Sequence, residues 1–304
     1  MPTINNSRVN IVGRSVAKLS YNAFIKLDMN EPEYSCLSQM YKEIKDPDLL
    51  LLIALSAGII DYRLGRGGAE AFWSGLLRLA KGKRINTSSI EFIKSLMNDF
   101  INLPVNARSR KQKIRRIHLF TKSGLINEIL RKGLEEISSD PVWLWKELAR
   151  TLGSPMKAKT IVFAMKLLDI TSLIVLNKYA EFPIAVPIPL DFHITAMAIA
   201  SGIVSYNRPI DYKWREVNSI KTKHKSIFLE AWRLVAEVAS YEMRRELPLL
   251  RLDSLIWQVS KISKKENYVK ATCKGAITEY LIEKAEVSRS IAEEVASQLT
   301  FNMK

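Results

Sequence analysis

The glycines and prolines constrain this chain most. Only 12 Gly and 11 Pro occur in 304 residues, and they fall between long segments of helical apolar periodicity instead of punctuating short alternating strands. Such a pattern predicts an all-α fold. Asp46-Pro47-Asp48 opens an apolar helix to about Leu64, with Asp46 as N-cap and Pro47 in the first turn, and Gly65, Gly67 and Gly68 end it. Further helices are predicted over about 69–80, from the Thr87-Ser88-Ser89 capping signal to about Ile101, over 106–119 and 125–137, from Asp140-Pro141, and from the Gly153-Ser154-Pro155 turn to roughly Leu176. Asp191 is placed to cap a helix to about Ser201, and five more are expected near 212–217, 226–245, 251–262, 270–284 and 288–299. There is no internal repeat and no Gly/Ser linker. The reading is a basic N-terminal tail over 1–18, loosely held, followed by one two-lobed helical domain over 19–304.

One stretch breaks the regularity. Glu181-Phe-Pro-Ile-Ala-Val-Pro-Ile-Pro-Leu190 places three prolines in seven positions, which forces an extended path because proline fixes φ and restricts its predecessor.

Charge narrows the partners. Lys plus Arg number 46 against 31 Asp plus Glu, a formal net charge of +15, which favours nucleic acid or another acidic surface. The cations cluster: Arg108, Arg110, Lys111, Lys113, Arg115 and Arg116 lie close together, with Arg108, Lys111 and Arg115 on one predicted helix face. Smaller groups are Lys81, Lys83, Arg84; Lys213, Arg215, Lys221, Lys223, Lys225; and Lys261, Lys264, Lys265. Two cysteines, Cys36 and Cys273, can complete neither a disulfide framework nor a four-cysteine zinc or iron–sulfur site, and a low thiol count suits a reducing cytosol. The longest apolar run, Leu49–Ala57 continued by Ile59 and Ile60, is shorter than the ~20 residues a bilayer span requires. No export signal opens the chain, so a cytoplasmic, nucleoid-associated location is expected.

The segment about Lys159 carries the candidate chemistry. Leu152-Gly-Ser-Pro-Met-Lys-Ala-Lys159-Thr160 connects two helices across about 140–170, and the amide groups at the start of the second helix can hold a DNA phosphate. Lys157 lies in that connector. A lysine in the first helical turn opposes the positive helix end, which favours the neutral amine that Schiff-base chemistry needs. Asp191, 32 residues on, is a carboxylate at a second helix start. Spacing alone allows a nucleophile–carboxylate pair and equally an ordinary N-cap. Lys159, Phe163 and Lys166 share one helix face, and Asp253 and Trp257 share another.

These blocks resemble the archaeal 8-oxoguanine DNA glycosylase/lyase family, a divergent branch of the helix-hairpin-helix glycosylases. The resemblance rests on Lys159-Thr-Ile-Val-Phe163…Lys166, on Phe182-Pro-Ile-Ala-Val-Pro-Ile-Pro-Leu-Asp191, on Asp61-Tyr-Arg-Leu-Gly-Arg-Gly-Gly68…Phe72-Trp73, and on Leu252-Asp253-Ser-Leu-Ile-Trp257. The four blocks stand in the family's order and span roughly Pro32 to Trp257. The resemblance implies a two-lobed helical glycosylase fold with an atypical helix-hairpin-helix element. It implies removal of 8-oxoguanine and β-elimination through a Schiff base on Lys159, which Asp191 activates. It also implies stacking of the flipped base on Phe163 and Trp257, with Trp73 near the same pocket, and base-pocket roles for Lys166 and Asp253. No cofactor or metal is implied. The expected partner is damaged double-stranded DNA met by a monomer, with Arg108, Arg110, Lys111 and Lys157 against its backbone and single strands left open.

Three departures stand out. Pro155 and Lys157 occupy hairpin positions that hold glycine in the wider superfamily, and Glu33 stands where the family is expected to have glutamine. A carboxylate accepts hydrogen bonds but donates none at neutral pH. The Lys-rich 213–225 stretch reads as a surface insertion. Two other readings stay open: the same lysine chemistry on another damaged base, and a basic helical nucleic-acid-binding protein without catalysis.

Overall fold

A computed structural model of the chain describes residues 1–83, 88–180 and 182–304. Arg84, Thr87 and Glu181 therefore lie outside the described residues. Among those described, the only strands are β1 (Thr3–Ile4) and β2 (Val204–Ser205), paired antiparallel with Thr3 opposite Ser205. The rest is helical, as the pattern predicts. The chain divides into two units, one discontinuous (Met1–Asn30 with Pro183–Lys304) and one continuous (Glu31–Phe182).

The discontinuous unit opens with α1 (Asn6–Ala17) and α2 (Tyr21–Met29). The expectation of a loose tail over 1–18 is overturned here. Val9, Val12 and Val16 recur at one helical face and are buried, and Asn5 and Ser20 cap the two helices by accepting from Arg8 N and Ala23 N. Arg8 itself is buried, donating to Ser201 O at 3.0 Å and to Gln298. Its charge is tied down, not free for a partner.

The continuous unit holds α3 (Pro32–Ile44), α4 (Pro47–Gly58), α5 (Gly68–Lys81), α6 (Ser89–Asn102), α7 (Arg110–Lys122), α8 (Leu125–Ser139), α9 (Pro141–Thr151) and α10 (Lys159–Leu176). Asp46 caps α4 as expected, accepting from Asp48 N and Leu49 N at 3.0 Å. The helix stops at Gly58, however, not near Leu64. An added Cβ on Gly58 would come within 3.0 Å of Ala164 Cα and 2.7 Å of Leu167 Cδ1 in α10, so glycine lets α4 and α10 approach backbone to backbone. The freed segment 59–67 becomes an irregular turn, and Asp61 and Tyr62 lie in it. Helix α7 likewise begins at Arg110 instead of 106, because Pro104–Asn106 closes a short 3-10 turn and Ser109 takes a left-handed φ of 57°.

The chain re-enters the discontinuous unit through the proline arm. There follow α11 (Phe192–Ala200), α12 (Trp214–Lys223), α13 (Lys225–Met243), α14 (Leu249–Lys265), α15 (Lys270–Ala285) and α16 (Arg289–Leu299). The Lys-rich 213–225 stretch is thus mostly helix, anchored by buried Val217 and Ile220. This unit's core collects Val12, Phe24, Ile194, Phe228, Trp232, Leu255, Val259, Ile277 and Val295. Trp232 Nε1 donates to Ile194 O, so its one polar atom is satisfied inside that core. No helix among the described residues is long and apolar enough to cross a membrane.

Candidate functional site

The hairpin of the continuous unit positions Lys159. Helix α9 ends at Thr151, Gly153 turns the chain with φ +55°, and Ala158 N–H closes a turn onto Pro155 O at 2.9 Å before α10 begins at Lys159. With Pro155 and Lys157 in the glycine positions, side chains brace the loop. Trp145 Nε1 donates to Met156 O at 2.9 Å. Arg116 of α7 reaches further: Nε donates to Ile59 O at 2.8 Å, Nη1 to Ser154 Oγ at 3.2 Å and Nη2 to Thr160 Oγ1 at 2.9 Å. One planar fork ties the end of α4, the hairpin loop and the first turn of α10. Burial draws its guanidinium below the ordinary arginine value, opposed by Tyr62. Beside the loop lies an open cleft of about 420 Å³ lined in part by Gln112, Arg115, Arg116, Gly153 and Thr160.

Lys159 is partly exposed, and its Nζ is held from two sides. It donates to Asp61 O at 2.9 Å, with Asp61 Oδ1 at 3.6 Å, and stands 4.5 Å from the Phe163 ring centroid. The ring face is a weak cation site that orients the amine without sealing it from solvent. Lys166, two turns along α10, has a different setting. It is 1% exposed and pairs with Glu31 at 2.8 Å, a buried ion pair at the start of α3. Glu33 follows in the first turn of the same helix and is also buried; its charge helps burial raise the Cys36 thiol to about 11. Trp73 is wholly enclosed, edge-on to Phe72 at 5.5 Å, so its ring offers no face to an incoming base. The structure thus keeps Lys159 and Phe163 together, buries Lys166 against Glu31 and Glu33 in the first turn of α3, and gives Trp73 to the core.

In the discontinuous unit, Asp191 caps α11 as predicted: Oδ1 accepts from Ile194 N at 3.1 Å, and its carbonyl accepts from Thr195. Asp253 is buried in α14, while Trp257 is half-buried one turn on. Lys261 Nζ lies 5.3 Å from the Trp257 ring centroid and the His193 ring 5.5 Å away, so two basic groups flank that indole. From sequence, Lys261 appears only as a member of a basic group, and His193 is not named.

The basic run divides sharply. Lys111 and Arg115 are exposed on one face of α7, and Arg108 is exposed too but precedes the helix, so the predicted three-residue face is reduced to two; Lys157 is exposed and Arg110 half-buried, donating to Asn102 O. Lys113 and Arg116 turn inward. Lys113 is fully buried and donates to Asn106 Oδ1 at 2.8 Å. From sequence, Lys113 and Arg116 appear only as members of the basic cluster and Asp61 only as the first residue of a family block, none with a place beside Lys159. For Lys113 and Arg116 the available signal was their place on the inward stripe of α7 with Ile117 and Phe120; Asp61, in the turn after α4, carried no such signal.

The chain was compared with known proteins. The family model described as AGOG, N-glycosylase/DNA lyase, matches residues 13–293. An N-glycosylase/DNA lyase of Thermococcus kodakarensis is 22% identical over 75% of this chain and 74% of its own length. That of Methanococcus maripaludis is 24% identical over 75% and 78%. The crystal structure of Pa-AGOG, the 8-oxoguanine DNA glycosylase of Pyrobaculum aerophilum, complexed with 8-oxoguanosine, aligns with a TM-score of 0.69. It is 16% identical, covering 93% of this chain and 97% of that one, and at that identity it speaks for the helical fold alone. With a family match over nearly the whole chain, this protein is a member of the AGOG family of bifunctional N-glycosylase/DNA lyases.

Proposed function

We propose that the protein removes 8-oxoguanine from double-stranded DNA and cleaves the strand through a Schiff base on Lys159. The observation that supports this best is the setting of Lys159: a partly exposed amine at the first residue of α10, oriented by Asp61 and the Phe163 face. The substrate follows from the Pyrobaculum relative, itself an 8-oxoguanine DNA glycosylase. In this scheme the neutral amine attacks C1′ of the extruded nucleotide. The C1′–N9 bond breaks, and the base leaves with the bonding pair and is protonated. The amine nitrogen loses its protons as the sugar ring opens and the C1′=N bond forms. Loss of a C2′ proton then expels the 3′ phosphate. Asp191 accepts the amine's proton and stabilises the positive charge that develops on the sugar. Phe163 and Trp257 stack on the base, and Lys166, Asp253 and Glu33 read its edge, while Trp73 contributes packing. Arg108, Arg110, Lys111 and Lys157 hold phosphates, with the cleft beside Gly153 as a further phosphate seat. The protein acts as a monomer.

Sodium borohydride tests this directly, because it reduces a Schiff base to a stable protein–DNA adduct. An adduct with 8-oxoguanine duplex that disappears in Lys159→Gln is the expected result. No adduct at all would favour a non-catalytic DNA-binding protein, and an adduct that persists in Lys159→Gln would remove Lys159 as nucleophile. Asp191→Asn should bind damaged duplex normally yet turn over much more slowly, and an unchanged single-turnover rate refutes its role. Glu33 gives a second reading, the same chemistry on another damaged base, since a buried carboxylate there can only accept hydrogen bonds. Parallel rates on 8-oxoguanine, thymine glycol and uracil duplexes decide between the two.

A further inference from the structure

Trp257 is only half-buried, and a ring at a helix surface has to be held if a base is to stack on it in one orientation. Within the discontinuous unit its closest ring neighbour is His193, 5.5 Å away between centroids and tilted by 58°. His193 is itself fixed at two points. Its Nδ1 shares a hydrogen bond of 3.0 Å with Ser260 Oγ, and its ring stands edge-on to the buried Phe192 ring at 5.3 Å and 87°. Ser260 is fully buried, so water cannot take over its half of that bond while the helices stay packed.

The positions along the two helices give this bond its consequence. Ser260 follows Trp257 by three residues and lies on the same side of α14. His193 follows Asp191 by two residues and lies in the first turn of α11, the helix that Asp191 caps. One hydrogen bond therefore ties the start of α11 to the stretch of α14 that carries Trp257. We propose that His193 is a positioning residue: held by Ser260, its ring braces Trp257 and so sets the plane on which an extruded base stacks. This rests on Trp257 being a base platform and on Lys159 being the Schiff-base nucleophile. Imidazole suits the place because one side chain supplies both a hydrogen-bonding nitrogen and a flat ring. Asparagine would supply only the polar atom, and phenylalanine only the ring.

Two substrates separate bracing of the platform from general support of the fold. Excision of 8-oxoguanine needs a surface for the base, whereas an abasic duplex has no base to stack. Single-turnover excision and borohydride trapping on the abasic duplex are measured for the wild type, His193→Phe, His193→Asn, Ser260→Ala and the double variant His193→Phe/Ser260→Ala. The ratio of excision to trapping should fall about three- to tenfold in each single variant, the loss carried by one buried hydrogen bond or one ring contact. The double variant should fall no further than His193→Phe, because the bond is already gone. Trp257 emission, taken as the difference between each protein and its Trp257→Phe counterpart, should be more readily quenched by acrylamide in His193→Asn and Ser260→Ala than in the wild type. An unchanged ratio in all three single variants, whether both rates hold or both fall by one factor, overturns the inference in favour of a purely structural contact. Quenching identical to the wild type's overturns it as well. Trp257→Ala that excises 8-oxoguanine at the wild-type rate overturns the stacking reading, and the inference falls with it. A wild type that yields no adduct overturns the Schiff-base reading alone, and the quenching comparison then still decides whether His193 holds the indole.

Discussion

Replacing Arg116 with methionine tests whether this hairpin, lacking glycines at two of its turn positions, is held by a side chain instead. The guanidinium donates at 2.8, 3.2 and 2.9 Å to a carbonyl and two hydroxyls on three separate elements. A hydrogen bond to a charged group contributes about 1.5–3 kcal/mol when buried, and less at a half-buried site such as this one. Methionine fills a similar volume but leaves Ile59 O, Ser154 Oγ and Thr160 Oγ1 to find water or go unpaired. A total loss of about 3–5 kcal/mol follows. In a folding unit of roughly 150 residues each kcal/mol lowers Tm by about 2–4 °C, so calorimetry should show a drop of about 6–20 °C. Arg116→Lys retains the charge but only one of the three directions, and should fall between. Ser154→Ala removes one neutral partner and should cost no more than about 1.5 kcal/mol. The double variant Arg116→Met/Ser154→Ala should then be less destabilised than the two single effects combined, because the second change removes a partner already lost. Abasic-site trapping at 25 °C, where each variant remains folded, should slow with the same ranking, since Thr160 adjoins Lys159. A melting point within about 2 °C of the wild type's for Arg116→Met would refute the bracing role.

Three further outcomes are expected. Lys113 titrates near 8 in the folded protein against 10.5 in the unfolded chain, so the unfolded state binds more protons between these values. Wild-type stability relative to Lys113→Met should therefore rise as pH goes from about 8 to 10.5, read by denaturant melts at fixed pH; a flat difference refutes the burial argument. Gly58→Val forces a Cβ to within 3.0 Å of the α10 backbone at Ala164 and should lower stability by about 2 kcal/mol or more, measured by urea unfolding, whereas Gly68→Ala, with only the end of Glu70 nearby, carries backbone strain from its φ of +57° but no such clash. Lys111→Gln and Lys157→Gln should each reduce the slope of log affinity against log salt by about 0.9 on any duplex sequence, and an unchanged slope would remove that residue from the phosphate contacts.

Legibility from sequence followed the strength of the local signal. Asp46 and Asp191 were readable as caps because a side-chain acceptor before a run of apolar residues satisfies donors that nothing else can reach. Ends set by distant packing were not readable. Gly58, where α4 ends, packs against α10 more than a hundred residues away, and the short 3-10 turn at Pro104–Asn106 delays the start of α7. The order of Val9, Val12 and Val16 contained enough periodicity to predict α1, yet the density of polar residues among them favoured a tail. Family blocks located Lys159, but spacing could not show that Lys166 is committed to Glu31 or that Trp73 has no open face. Each of those outcomes depends on tertiary neighbours from other helices.

The basic run shows how such residues could be sorted from sequence. Within α7, buried Lys113, Ile117, Phe120 and Thr121 recur at helical spacing, with Arg116 alongside them, and so define the inward stripe. Lys111 and Arg115 lie off that stripe and meet solvent. Charge density cannot separate these two groups, whereas register can. A cation on the stripe cannot be left unpaired, because burying a bare charge costs far more than a helix of this length gains from its apolar contacts. Its presence there requires acceptors on neighbouring elements: Asn106 for Lys113, and Ile59, Ser154 and Thr160 for Arg116. These acceptors cluster on the turn after α4, the turn before α7 and the hairpin, the parts of this unit with the least regular structure and the ones that frame Lys159. The two inward cations of α7 therefore organise the surroundings of Lys159, and the outward ones face solvent. Along α7, helix register divides the charge between bracing the irregular segments of this unit and facing solvent.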